Sequence, residues 1–217
     1  PSRKFHGDEK PAAGREAFMQ RLGKPYNLEL PGELGRIGAE ISPFTQEPLG
    51  IDYPKCDPAA LVEAAASALK QWRDVPPEQR IALCAEMAER LYARNFEMAH
   101  AIMHVAGQSF TQAFSGSGPN ALDRGLEALA YAAKAMDDVK PHAQWERRFG
   151  RDDIKLEKNY RLMPRGVGLV ICCASFPTWN AYPAMFASLA TGNPVIVKPH
   201  PAAILPMAMV VETCRET

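Results

Sequence analysis

The side chains able to do chemistry crowd into one stretch, residues 172–201. Cys172 and Cys173 are adjacent thiols, the side-chain class that attacks carbonyl carbon once deprotonated. A buried cysteine also serves as a small hydrophobe, so the pair has a purely packing reading as well. Ser175 offers one hydroxyl donor and Asn180 a carboxamide. Asn180 also suits the N-cap of a helix over 181–190. Lys198 closes an apolar run and is followed by Pro199, which fixes the chain where the amine emerges. His200 and Pro201 come next; His200 adds positive charge at low pH or simply packs. Other constellations are weaker. His100 and His104 are four apart, a metal-competent helical spacing, yet no glutamate flanks His100 and no third ligand is evident. Gly166-x-Gly168 lacks the third glycine of a dinucleotide fingerprint and precedes its strand instead of following it.

These residues must be held by the elements around them. Two β-branched runs, 167–172 and 194–197, are bounded by Gly or Pro as buried strands are. Between them, 184–191 carries Met185, Phe186 and Leu189 at helical spacing, with Gly192-Asn193 as the stop. Strand, helix and strand predict a βαβ unit and therefore a parallel pair. Ligands of such sheets bind at the carboxyl ends of the strands, here 172–177 and 198–201.

The rest of the chain reads as support. Residues 1–56 are rich in Gly, Pro and charge, and predict an arm laid over the body, with a short helix at 16–22 and an edge strand at 49–53. Asp57-Pro58 opens a helix with Leu61, Val62, Ala65, Ala68, Leu69 and Trp72 on one face. Further helices are predicted over 78–94, 96–106 (ending at Gly107) and from 118–119 to 136, the last with Leu122, Leu126, Leu129 and Ala133 in register. Spacing then changes, and 145–149 with 154–163 predicts a two-stranded hairpin around a turn at 150–153. A final helix covers 202–215.

Bulk properties narrow the class. The 217 residues can bury a real core, 47% are hydrophobic, and the formal charge is +0, so no strong field favours nucleic acid or an anionic membrane. Five cysteines without a C-x-x-C pair disfavour a disulfide framework or a zinc site and fit a reducing cytoplasm. No apolar run nears the roughly 20 residues of a membrane helix.

Gly166-Val167, Ser175-Phe176-Pro177, the run 188–193 (Ser-Leu-Ala-Thr-Gly-Asn) and Lys198-Pro199 together resemble the cofactor-binding start of the aldehyde dehydrogenase superfamily. So do Ala65, Ala68, Trp72, Arg80, Leu83 and Gly107 in the earlier helices. Gln108 stands where that family usually has lysine, in a turn expected to be remote from the chemistry. The wording FPTWNAYP and VKPHP is most similar to the branch that serves bacterial phenylacetate degradation.

The resemblance implies an α/β fold: a helical layer, the first βαβ of a doubly wound parallel sheet, and a protruding hairpin. It implies four parts: an arm (1–56), a helical part (57–140), an oligomerisation hairpin (141–163) and a truncated nucleotide-binding start (164–217). Family members use NADP or NAD, form homo-oligomers and oxidise aldehydes through a thiolate that adds to the carbonyl, loses hydride to the nicotinamide and is hydrolysed. By register, Lys198 would reach the adenosine ribose, and the backbone at Cys172, Cys173 and Ala174 would line the cofactor cleft. Either Ser175, by position, or Asn180, by chemistry, would supply the oxyanion donor. Pro201 stands where many NAD-preferring members carry glutamate, so NADP should be tolerated, with His200 adding charge. The catalytic cysteine and glutamate would lie beyond Thr217, leaving this chain inactive alone. The substrate would be a small aldehyde of aromatic catabolism, a coenzyme A thioester among the candidates. Two alternatives accompany it: a coenzyme A-acylating enzyme, suggested by Pro199-His200-Pro201, and a non-catalytic scaffold.

Overall fold

A computed structural model describes residues 9–217. Helix α1, Glu9–Met19, begins well before the predicted 16–22 segment and seats Phe18 in the core. Strands β1, Glu33–Ile37, and β2, Tyr53–Cys56, pair antiparallel. The predicted strand at 49–53 is thus displaced: Leu49 and Ile51 are buried packing residues, Asp52 makes an isolated bridge with Pro25, and the β1 ladder starts at Tyr53.

Five helices follow: α2, Pro58–Trp72; α3, Pro77–Ala93; α4, Asn95–Ala106; α5, Phe110–Ser115; and α6, Pro119–Asp137. Asp57 caps α2 by accepting from the Ala59 amide, and Pro58 occupies the first turn, where no donor is needed. Gly107 ends α4 at φ 71°, a left-handed conformation that glycine adopts without penalty. The short α5 is absent from the sequence reading, although Ser109 caps it by accepting from Gln112. On α6, Leu122 and Leu129 are buried but Leu126 is exposed, so the predicted stripe is only partly inward. No residue of α2 is buried, and Val62 is 53% exposed; the helix packs mainly over β6, with Trp72 reaching the end of α7 described below.

The hairpin forms from β3, His142–Phe149, and β4, Asp152–Asn159, turning at Gly150 and Arg151. Both strands are exposed along their whole length, and β4 stops short of the predicted residue 163. Strand β5, Gly168–Ile171, then leads into α7, Pro177–Ala190, strand β6, Val195–Lys198, and α8, Leu205–Arg215. β5 and β6 run parallel, with Gly168 opposite Val195 and Ile171 opposite Lys198.

The core lies between α4, α6, α7 and α8, where Met98, Ile102, Leu122, Phe186, Leu205 and Met209 are buried. Helix α7 lies so close on α6 that a Cβ at Gly125 would stand 2.6 Å from the Phe186 ring. Only glycine permits that approach. A partly buried charge cluster ties the early chain to this core. Glu212 accepts from the Tyr26 hydroxyl (2.8 Å) and pairs with Arg21 (3.1 Å) and Arg94 (2.8 Å).

Candidate functional site

The carboxyl ends of β5 and β6 bring the two predicted segments together. The Cys172 amide donates to the Lys198 carbonyl at 3.0 Å, extending the parallel ladder one step past the strands. Residues 172–177 and 198–201 therefore leave the sheet side by side.

The entry to these strands is set by one side chain. Asn193 accepts from the amides of Arg165 (2.7 Å) and Gly166 (3.1 Å) and donates to the Thr191 hydroxyl (2.9 Å). Gly192, at φ 89°, supplies the left-handed step between helix and strand. Arg80, almost fully buried on α3, closes the same corner: Nε donates to the Ala190 carbonyl (2.9 Å) and Nη1 to that of Val75. Trp72 donates from its indole to the Leu189 carbonyl (3.0 Å). The Ala190 carbonyl at the end of α7 is thus satisfied from α3, and the Leu189 carbonyl, which also accepts from the Gly192 amide (3.0 Å), gains a second donor from α2.

Beyond the strands, Cys172 is buried, and burial pushes its thiol up to about 11, with Cys173 adding to the rise and the Lys198 amine opposing it. A thiol so placed stays protonated at neutral pH and suits packing, not attack. The Cys173 amide donates to Asn180 Oδ1 at 3.2 Å. Ser175 is exposed, with its hydroxyl 3.7 Å from Cys173 Sγ. Ala174 is half-buried between them.

Asn180 is not the N-cap of the following helix. α7 begins seven residues before the predicted 184, at Pro177, so Asn180 lies within its first turns and its amide donates to the Phe176 carbonyl (3.1 Å). Pro177 is tolerated at the helix start, and Pro183 stands inside the helix. That internal proline is why spacing alone placed the start too late. Asn180 instead uses its side-chain oxygen to hold the 173 peptide, bringing it beside Cys173 and Ser175.

Lys198 is exposed, and among the described residues its amine makes one long polar contact, 3.5 Å, to the Pro199 carbonyl. Among the described residues no carboxylate pairs with it. His200 Nδ1 accepts from the Ala202 amide (3.1 Å), and its carbonyl accepts from Ala203 (2.9 Å), so the ring is committed to shaping the turn. Pro201 is exposed. The turn is anchored at its far end by Glu40, a buried carboxylate that accepts from the amides of Ile204 (2.6 Å) and Leu205 (3.0 Å) and from the Tyr53 hydroxyl. Burial raises the pKa of Glu40 against the pull of those three donors. A carboxylate at the start of α8 also suits the helix dipole.

Sequence reasoning missed two residues here. Glu40 gave no local signal, because its partners lie 164 and 165 residues away. Gln108 was expected to be remote from the chemistry, yet its side chain donates to the Ser175 carbonyl.

Elsewhere, the His100 and His104 pair belongs to an aromatic stack. Phe18 lies 4.8 Å from His104, Phe110 lies 4.8 Å from His100, and His104 Nδ1 shares a 2.8 Å hydrogen bond with Ser42. Burial lowers the pKa of both. Among the described residues no cluster of three metal-ligating side chains occurs. A groove of about 600 Å³ lies away from these residues, between Asn27, Glu29, Glu33, Arg36, Glu212 and Arg215. It contains no thiol, histidine or lysine. The sheet ends form an open ledge instead, since two strands cannot enclose a ligand, and Leu169 and Ile171 are each 62% exposed. Among the described residues no helix is long and apolar enough to cross a membrane.

Comparison with known proteins gives a consistent result. The chain is 46% identical to an NAD-dependent aldehyde dehydrogenase of Burkholderia multivorans, whose crystal structure superposes with a TM-score of 0.95 over 100% of this chain and 39% of that one. It is 28% identical over 208 residues to 1-pyrroline-5-carboxylate dehydrogenase 2 of Bacillus subtilis, covering 90% of this chain and 37% of the relative. A 1-pyrroline-5-carboxylate dehydrogenase from Thermus with bound NAD shares the fold at 23% identity, with a TM-score of 0.73 over 98% of this chain and 40% of that one. The chain thus spans under two fifths of the length of the first two. The pattern of the Aldehyde dehydrogenase family matches residues 34–217, well over half of the sequence. The chain belongs to the aldehyde dehydrogenase family.

Proposed function

We propose that this chain provides the nucleotide-facing edge of an NAD(P)-dependent enzyme that oxidises a small aldehyde to its acid in the cytoplasm. The observation that carries this is the parallel β5–β6 pair, which sets the exposed, unpaired amine of Lys198 beside the 172–177 turn. The residues present fit a dinucleotide. A free ammonium at a strand's carboxyl end suits the hydroxyls of a ribose, and Pro201 presents no carboxylate to repel a 2′-phosphate. NADP and NAD are both compatible with that arrangement. The cofactor supplies a hydride acceptor; the chain's own residues bind and orient.

On the substrate side, the Ser175 and Asn180 side chains both contact Cys173, and either can donate to an oxygen that gains negative charge. Asn180 has its oxygen committed to Cys173, which leaves its NH2 group as the available donor. Cys172, buried and protonated, is no candidate nucleophile. The reacting thiolate and the general base are expected outside these 217 residues.

The relatives' names favour an aldehyde related to 1-pyrroline-5-carboxylate. A ring-cleavage aldehyde of phenylacetate catabolism rests only on the wording of 176–183 and 197–201 and gains no support from them. A coenzyme A-acylating reaction likewise rests on 199–201 alone. Oligomerisation has a specific support. On the 142–159 ribbon, Trp145, Phe149, Ile154 and Leu156 share one face, each 40–54% exposed, while Gln144, Glu146, Arg148 and Lys155 share the other. An amphipathic ribbon that is exposed on both faces among the described residues fits a second copy of this chain. A non-catalytic scaffold would use the same face but no dinucleotide.

The test is amine-directed labelling of Lys198, followed by peptide mapping, with and without NADP or NAD. Protection by either, and a dinucleotide affinity about tenfold lower in Lys198→Ala, is expected for the loss of one charged hydrogen bond. Unchanged labelling at saturating concentrations of both dinucleotides would overturn the proposal.

A further inference from the structure

Gln108, just past the end of α4, is one of three buried polar residues that close a circuit around the start of α7. It is 6% exposed, while Ser117 and Thr178 are fully buried. Its Nε2 donates to the Ser175 carbonyl, and its Oε1 accepts from the Ser117 hydroxyl at 3.2 Å. The Ser117 carbonyl in turn accepts from the Thr178 hydroxyl, three residues beyond Ser175. Both ends of the 175–178 segment are therefore held from the same side. A buried polar network of this kind specifies one arrangement only when every member is satisfied, and here each carboxamide atom has its partner.

The side chains on the other surface of this turn are free by comparison. Among the described residues the Ser175 hydroxyl meets only the Cys173 sulfur, at 3.7 Å, and Ser175 and Asn180 are both exposed. Backbone fixed inward and donors left free outward are what a pre-organised ligand contact requires.

We propose that Gln108 is a positioning residue for the substrate-side turn. By binding the Ser175 carbonyl it fixes the orientation of that peptide, and thereby the direction in which Ser175 and the Cys173–Asn180 contact face the ledge. The functional meaning of this role rests on the reading of 172–177 as the cleft wall given above; the structural claim does not. The donor is the essential half. A lysine could supply it, whereas an apolar side chain would remove the partner of the part-buried Ser175 carbonyl and of the fully buried Ser117 hydroxyl.

The experiment uses the thiol already on the turn. Alkylation of Cys173 by iodoacetamide, followed by mapping of its peptide, is compared in the wild-type chain, Gln108→Leu and Gln108→Lys, each with a thermal midpoint. Gln108→Leu is expected to speed Cys173 alkylation roughly tenfold, as local opening of the turn becomes easier, with no rise at Cys56. Gln108→Lys should return the rate to within about twofold of wild type, a rescue that loss of packing volume would not produce. An unchanged rate in Gln108→Leu, or an equal rise in Gln108→Lys, would overturn the proposal. Should Gln108→Leu not fold, Ser117→Ala decides. It removes the hydroxyl that steers the carboxamide, so a rise of a few fold confined to the Cys173 peptide supports the role, and no rise refutes it. Protection of Lys198 by dinucleotide is independent of all these rates, so the two proposals can fail separately.

Discussion

Arg80 offers the sharpest test of how the site is held. The residue is 4% exposed, and among the described residues no carboxylate pairs with it. Burial pulls its pKa below the ordinary arginine value, with Glu78 and Cys84 opposing. What holds the charge is backbone: the carbonyls of Ala190 and Val75, the first at the carboxyl end of α7 where the helix dipole is negative. Two charge-assisted hydrogen bonds contribute about 1.5–3 kcal/mol each, and the dipole about 1 kcal/mol. Desolvating an unpaired guanidinium costs several kcal/mol and offsets much of that. Replacement by methionine removes both sides of the balance but leaves two carbonyls unsatisfied, at about 1–3 kcal/mol for each such group. The expected net loss for Arg80→Met is about 1–3 kcal/mol, read as a lower urea midpoint with an unchanged slope. For a chain of this size it corresponds to a melting temperature lower by roughly 3–10 °C. Arg80→Lys should recover less than half, because a single ammonium cannot address two separated carbonyls as the planar fork does. Stability of Arg80→Met within about 0.5 kcal/mol of wild type, or full recovery in Arg80→Lys, would refute the reasoning.

Two further predictions concern other parts of the molecule. At Glu212, burial acts to raise the pKa, but the Tyr26 hydroxyl, Arg21 and Arg94 outweigh it and hold the carboxyl below its usual value. A depressed folded pKa gives stability that is present above the unfolded value, about 4.3, and lost as pH falls through the folded one. Glu212→Gln should therefore be destabilised at pH 7 and approach wild type by pH 3 in urea unfolding; a gap that stays constant across that range contradicts the sign. On the 142–159 ribbon, Trp145→Lys or Ile154→Lys should weaken self-association by about 2 kcal/mol each, whereas Gln144→Lys on the polar face should not. Sedimentation equilibrium reads the difference, and equal association in all three variants removes the ribbon as the interface.

Legibility followed locality. The β5–α7–β6 unit was readable because apolar runs, Gly192 and the prolines are all local signals, and the parallel register bears out that reading. The start of α7 was misplaced because Pro183 breaks the spacing that marks a helix, while in the structure it is simply accommodated. α2 was readable as a helix from its apolar face, but how deeply that face is covered depends on how much sheet lies beneath it. The hairpin was legible from alternation and Gly150; its ends were not, since pairing extends wherever both strands have free backbone groups.

By itself the sequence determined which residues stand at the sheet's carboxyl ends. Strand direction and the positions of Cys172 and Lys198 follow from periodicity and turn chemistry within about 30 residues. What only the tertiary structure decided is which distant side chains hold that edge in place. Arg80 reaches the end of α7, Gln108 binds the Ser175 carbonyl, and Glu40 caps α8 from 164 residues away. Each satisfies backbone groups that secondary structure leaves unpaired. A polar side chain carries no pattern that says which backbone group it will meet; only the packed chain brings the two within hydrogen-bond distance.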